Sequence, residues 1–172
     1  MTENTVDPTA MGLFFVAVVS LPLALYNLFD GLGDWDLGLL FTVGGLLILS
    51  VSFKANKAGS NFGYIVFGLV GYGVLMVGIC AFFGHAIGNY VMLTFALVYI
   101  LAVIWSVIIR TFRMLTLLLV TTALVFATVG LSGIFPNFGS WGLVIGLCAL
   151  LNFAFNLYLA YSLALEGKLK CI

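Results

Sequence analysis

Long runs of apolar residues, separated by short polar or glycine-bearing breaks, set the pattern of this chain. They cover roughly 11–29, 37–54, 63–83, 90–109, 114–133 and 140–165, and each is close to the ~20 residues an α-helix needs to cross the hydrocarbon core of a bilayer. The breaks carry helix-ending chemistry: Asp30 to Asp36 with its glycines, Lys54 to Ser60, Gly84 to Asn89, the Arg110 to Arg113 corner, and Gly133 to Ser140 around Pro136. Six transmembrane helices joined by short loops are therefore predicted. The runs show little periodicity, as expected for helices apolar on most sides. A transmembrane barrel does not fit, since its strands alternate in polarity over roughly 10 residues, whereas Leu39 to Phe53 and Leu115 to Leu131 are almost unbroken.

Composition removes the soluble alternatives. With 64% of residues hydrophobic and 7% charged, there are too few polar side chains to cover a water-soluble globule. An all-α membrane protein follows, with a segment 1–9, a six-helix domain 10–166 and a tail 167–172. Met1 to Thr9 carries Glu3 and Asp7 and no basic residue, unlike a secretory signal, so the first run is expected to stay as a span.

Charge orients the bundle. Lys54 and Lys57 lie between spans two and three, Arg110 and Arg113 between four and five, and Lys168 and Lys170 after six. Six spans put all of these on one side, which the preference of basic loops makes the cytoplasm. The expectation is a multi-pass protein of the cytoplasmic membrane with both termini inside, and with Asp30, Asp34, Asp36 and His85 in outer loops. Trp35 and Trp141 fall near span ends, where indoles favour the interface.

No Asp, Glu, Lys, Arg or His falls near the centre of a span. That argues against a carboxylate-relay pump and against a hydrolase, so no enzyme, cofactor or metal is expected. Cys80, Cys148 and Cys171 have no metal or disulfide spacing. A net charge of zero without a basic run argues against nucleic acid as a partner.

What remains for a solute to touch is hydroxyls, amides, backbone and helix ends. Asp7-Pro8 reads as an N-cap followed by proline at the first helical position, either a plain cap or a helix start whose amides attract a carboxylate. Pro22 disrupts the bond to the carbonyl of Val18, and either presents that carbonyl to a pore or is absorbed by its neighbours. The glycines of span three, and Gly142 and Gly146 of span six, read first as packing sites and second as bare pore wall. Asn152 and Asn156, four apart on span six, and Thr121 and Thr122 on span five, either glue helices together or line a polar path.

The head of span one, Asp7-Pro8-Thr9-Ala10-Met11-Gly12-Leu13, resembles the Asn-Pro-Ala-Pro-Leu-Gly-Leu signature of the acetate uptake transporter family. The likeness continues in order through Gly44-Gly45 and Lys57-x-Gly59-x-x-Phe62-Gly63, with Asn27, Arg113 and Trp141 also matching. Asp7 and Ala10 depart from the signature, and a family glutamine in span two falls on Ile48. The family's hydrophobic constriction of Phe, Leu and Tyr falls on Val16, Thr122 and Val70, with Phe15 and Tyr72 adjacent if the register slips by a residue or two.

The resemblance implies a pore inside each protomer of a homohexamer, taking acetate or a similar small monocarboxylate, with succinate also within the family's range. It works either as a channel or as a proton symporter whose proton travels on the substrate. Pore residues are then expected among Asp7, Pro8, Met11, Gly12, Leu13, Phe15, Val16, Val70, Tyr72, Thr121, Thr122, Asn152 and Asn156. Two rivals remain: a pore for uncharged solutes such as urea, amides or ammonia, and a membrane scaffold that transports nothing.

Overall fold

In a computed structural model, residues 8–29 and 33–165 are described, the side chains of Asp34 and Trp35 excepted. Six helices follow one another: α1 (Thr9–Leu28), α2 (Asp34–Lys57), α3 (Asn61–Phe82), α4 (Asn89–Ile108), α5 (Arg113–Ile134) and α6 (Trp141–Ala164). All six are long and apolar enough to cross a membrane, and no strand occurs among the described residues. This is the all-α, six-helix fold of a multi-pass membrane protein. Exposed Leu97, Ile100, Leu101 and Ile104 on α4, and Leu143, Leu147 and Leu151 on α6, give the outer surface the character of a lipid-facing one.

The helix ends differ from the predicted ones where a polar end extends the helix past its apolar run. Helix α2 continues to Lys57, because Lys54 and Lys57 in its last turn oppose the negative end of the helix dipole. Helix α1 begins at Thr9, one residue later than the expected start at Pro8. Pro8 occupies the capping position with φ −75°, and its carbonyl accepts the first ladder bond from the Gly12 N–H at 3.1 Å. Asp7, expected as the cap, lies outside the described residues.

The helices form a ring in chain order, α1 beside α2 and α6, with α2 against α3 and α4 against α5 as tight antiparallel pairs. Glycines set those close approaches. A methyl group added at Gly45 would lie 2.5 Å from the Leu75 backbone nitrogen, and one at Gly71 would lie 2.8 Å from that of Leu49, so α2 and α3 touch backbone to backbone. In lipid, where burial of apolar surface gives no advantage over hydrocarbon, such contact is a main source of helix association. The α3 glycines Gly68, Gly71 and Gly78 thus serve packing, as do Gly142 and Gly146, which meet Asn27 and Leu28 of α1.

Between α3 and α4 the backbones stay apart and side chains close the ring. The Tyr99 hydroxyl donates to the Val66 carbonyl at 3.1 Å, and Phe62 meets Trp105 edge-on at 5.1 Å. Phe126 stacks on both Phe95 and Tyr99, at 5.3 and 5.6 Å. The ring is therefore tight on the α2–α3 side and propped by aromatic groups on the α3–α4 side, which leaves space along its axis.

Gly45→Ala is expected to destabilise the protein by about 1–3 kcal/mol, because the new methyl forces two backbones apart. Gly139→Ala, where an added methyl meets nothing within 4 Å, is the matched control. Unfolding titrations in mixed micelles check this; equal midpoints for the two variants would mean that the α2–α3 contact is not as close as described.

Candidate functional site

Three cavities follow the ring axis. An outer one of about 400 Å³ lies among Leu23, Tyr26, Leu37, Phe41, Val77 and His85, at the end of the bundle where α1 finishes and α2 begins. A central one of about 100 Å³ is walled by Val19, Val74, Met92, Val125, Phe126 and Val129, with Ser20 and Asn152. An inner one of about 30 Å³ reaches from Asn156, Tyr99 and Leu119 to Thr9, Phe62 and Leu115, near the starts of α1, α3 and α5.

Adjacent cavities share walls. Leu23, Phe41 and Val77 line both the outer and the central cavity. Val16, Val70 and Thr122, from α1, α3 and α5, line both the central and the inner one. This second trio forms a waist near the middle of the bundle. The three spaces lie in series, divided by these two shared walls, and mark out a path from the His85 end towards the end that carries the basic loops.

Five polar side chains are gathered around the waist and linked to one another. The Asn152 amide nitrogen donates to Ser20 Oγ at 3.0 Å, and the Ser20 hydroxyl in turn donates to the Val16 carbonyl at 2.7 Å. Asn152 Oδ1 lies 3.0 Å from the hydroxyls of Thr121 and Thr122, each of which also has the Leu118 carbonyl at 2.9 Å as an acceptor. Asn156 donates to the Asn152 carbonyl at 2.8 Å and to its Oδ1 at 3.2 Å. All five side chains are buried. Isolated in an apolar interior, any of them would be costly; joined, they hold α1, α5 and α6 together.

Neither the central nor the inner cavity has a charged or imidazole side chain in its wall. Among the described residues no cluster of His, Cys, Asp or Glu is placed to hold a metal ion. What the path offers a solute is an apolar sleeve with one uncharged, hydrogen-bonding waist.

The structure brings together Leu13, Val16, Val70, Thr122, Asn152 and Asn156 along the path, with Thr121 directly behind Asn152. Phe15 is half-buried and packs against the core away from the cavities. Pro8 is buried at the head of α1. Met11 and Tyr72 face outward, 46% and 52% exposed. Gly12 packs: a methyl there would lie 2.5 Å from the Phe67 ring, and its N–H is taken by Pro8. Sequence reasoning missed Ser20, although Gly12, Val16 and Ser20 recur every four residues on one face of α1, a spacing that would have exposed it. Val19, Val74, Val125, Val129, Met92 and Phe126 gave no signal, because an apolar cavity wall reads like core.

No protein-family model matches the chain, and no curated protein sequence matches it significantly. Among solved structures it is similar to the bacterial acetate channel SatP, with a TM-score of 0.81, 16% sequence identity, and coverage of 94% of this chain and 93% of that one. At that identity the likeness establishes a shared fold over nearly the whole length of both.

Val70→Phe, which puts a ring into the wall shared by the central and inner cavities, is expected to lower solute flux through the protein at least tenfold while the fold persists. Tyr72→Phe, on the outward face, should leave flux unchanged. Stopped-flow or tracer flux in proteoliposomes decides, and wild-type flux through the Val70→Phe protein would show that solutes do not pass the waist.

Proposed function

We propose that the chain is an acetate uptake transporter family protein: a membrane channel for acetate or a similar small monocarboxylate. The observation that carries this reading is the waist at Val16, Val70 and Thr122, which stands between cavities lined by apolar and uncharged polar groups. It is set in a fold shared with a bacterial acetate channel. A two-carbon acid has one methyl end for an apolar sleeve and one end that hydrogen-bonds, and a path with these two features suits it.

The remaining details belong to the same proposal. The pore lies within each protomer of a homohexamer in the cytoplasmic membrane, the exposed apolar faces meet lipid and neighbouring copies, and both termini are cytoplasmic on the basic-loop side. Segments 1–9 and 167–172 flank the transport domain 10–166. The proton, where one is carried, travels on the substrate, since the central and inner walls hold no carboxylate or imidazole to relay it. The uncharged wall also favours a second reading, a pore for neutral solutes such as urea or acetamide.

Uptake of labelled acetate by liposomes containing the purified protein separates these readings. The expected outcome is saturable uptake above that of empty liposomes, faster with an acidic outside, and reduced by propionate. Urea flux without acetate flux would favour the neutral-solute pore. Neither flux above the empty-liposome level would leave only a scaffold.

A further inference from the structure

One atom at the waist has no partner. Asn156 is fully buried, and its Oδ1 makes no hydrogen bond. The orientation of the amide is fixed by its surroundings. Its nitrogen donates to the Asn152 carbonyl at 2.8 Å, and turning the group over would set oxygen against oxygen. The acceptor is thus on the side of the amide away from Asn152, and Asn156 is part of the inner cavity wall, as is Thr122.

Buried carbonyl oxygens are almost always satisfied, and one that is left bare beside a cavity marks a place for a donor. The donors nearest it are turned elsewhere. Ser20 donates to the Val16 carbonyl and Asn156 to Asn152, while Asn152 donates one N–H to Ser20 and lines the central cavity and not the inner one. The Thr122 proton has two acceptors within 3.0 Å. The titratable side chain facing the inner cavity from α4 is Tyr99, whose hydroxyl is held by Val66. The walls from α1, α3 and α5 present apolar groups, backbone and Thr hydroxyls. A carboxylate entering here would find oxygen facing oxygen. A solute that carries its own O–H or N–H would find the acceptor it needs.

We propose that Asn156 Oδ1 is a selectivity site that accepts a hydrogen bond from the O–H of a protonated carboxylic acid, so that the species passing the waist is the neutral acid. This rests on the acid-channel reading given above and assigns the chemical form in which the acid passes. By the same chemistry a primary amide occupies the site, and an ester of the same size, having acceptors only, does not.

Three measurements on proteoliposomes test it. In the wild-type protein, acetamide should slow acetate uptake and methyl acetate should not, at equal concentrations. An imposed inside-positive potential should leave the initial rate unchanged, because no net charge moves. Asn156→Leu, similar in size but without the acceptor, should lower protein-dependent acetate uptake at least tenfold, with its circular dichroism and gel-filtration profile compared with wild type. If that variant does not fold, the two wild-type measurements still decide. Uptake accelerated by inside-positive potential, equal competition by ester and amide, or a folded Asn156→Leu protein with wild-type flux would each overturn the assignment while leaving an acetate channel in place. Absence of any acetate flux through the wild-type protein would remove the channel reading and this assignment together.

Discussion

The carboxamide of Asn152 is the contact on which the interior depends. It lies near the middle of α6, where a polar group not met by protein or by a cavity's contents is costly. Its nitrogen reaches Ser20 on α1, its oxygen reaches Thr121 and Thr122 on α5, and its backbone carbonyl takes the Asn156 amide. Hydrogen bonds of this kind within a membrane contribute only about 0.6 kcal/mol each on average. Their larger effect is on position: Thr122 and Val16, which line the same two cavities, are held by helices tied to one amide.

The opposite wall is held by other means. Helices α2 and α3 meet through glycines with backbone in contact, an arrangement with little freedom to breathe. Helix α3 then faces α4 across rings, with Tyr99 bonded to Val66 and stacked on Phe126. Val70 stands on this stiff element. A waist composed of one side chain from each of α1, α3 and α5 is therefore framed by a polar tie on one side and a glycine seam on the other. Its dimensions follow from helix placement and not from the length of a loop.

The spans and their order were legible in the sequence because lipid tolerates no polar run within a helix, so each break in hydrophobicity contains a loop. Their ends were less legible. The polar last turn of α2 is helical although it has left the hydrocarbon, and proline at position 8 caps α1 instead of opening it. The facing of side chains was the least legible feature. With apolar residues on all sides of every helix, periodicity does not distinguish lipid from lumen, so Val74 and Val125 on the path look no different in sequence from Leu97 and Leu147 on the outside. Polar residues did carry that information: Asn152, Asn156, Thr121 and Thr122 all lie inside, where burial in lipid would have been costly. Ser20 belongs with them. Its hydroxyl returns to the backbone one turn earlier, which is how serine is accommodated in any membrane helix, and so it stood out less.

The side chains at the waist also bear on how the path discriminates. Valine and threonine are β-branched, and in a helix their χ1 is confined to one or two wells. Val16, Val70 and Thr122 therefore have no long ring or flexible stem that can swing aside to admit a solute and close behind it. An aperture of this kind excludes by a nearly constant width, and further selection has to come from chemistry at its edge. That edge carries no charge, and its hydroxyl protons and the Asn156 amide protons are bound within the protein. A bare carbonyl oxygen beside a stiff apolar aperture sorts solutes by whether they bring a proton to share, a criterion that a charged pore lining does not apply.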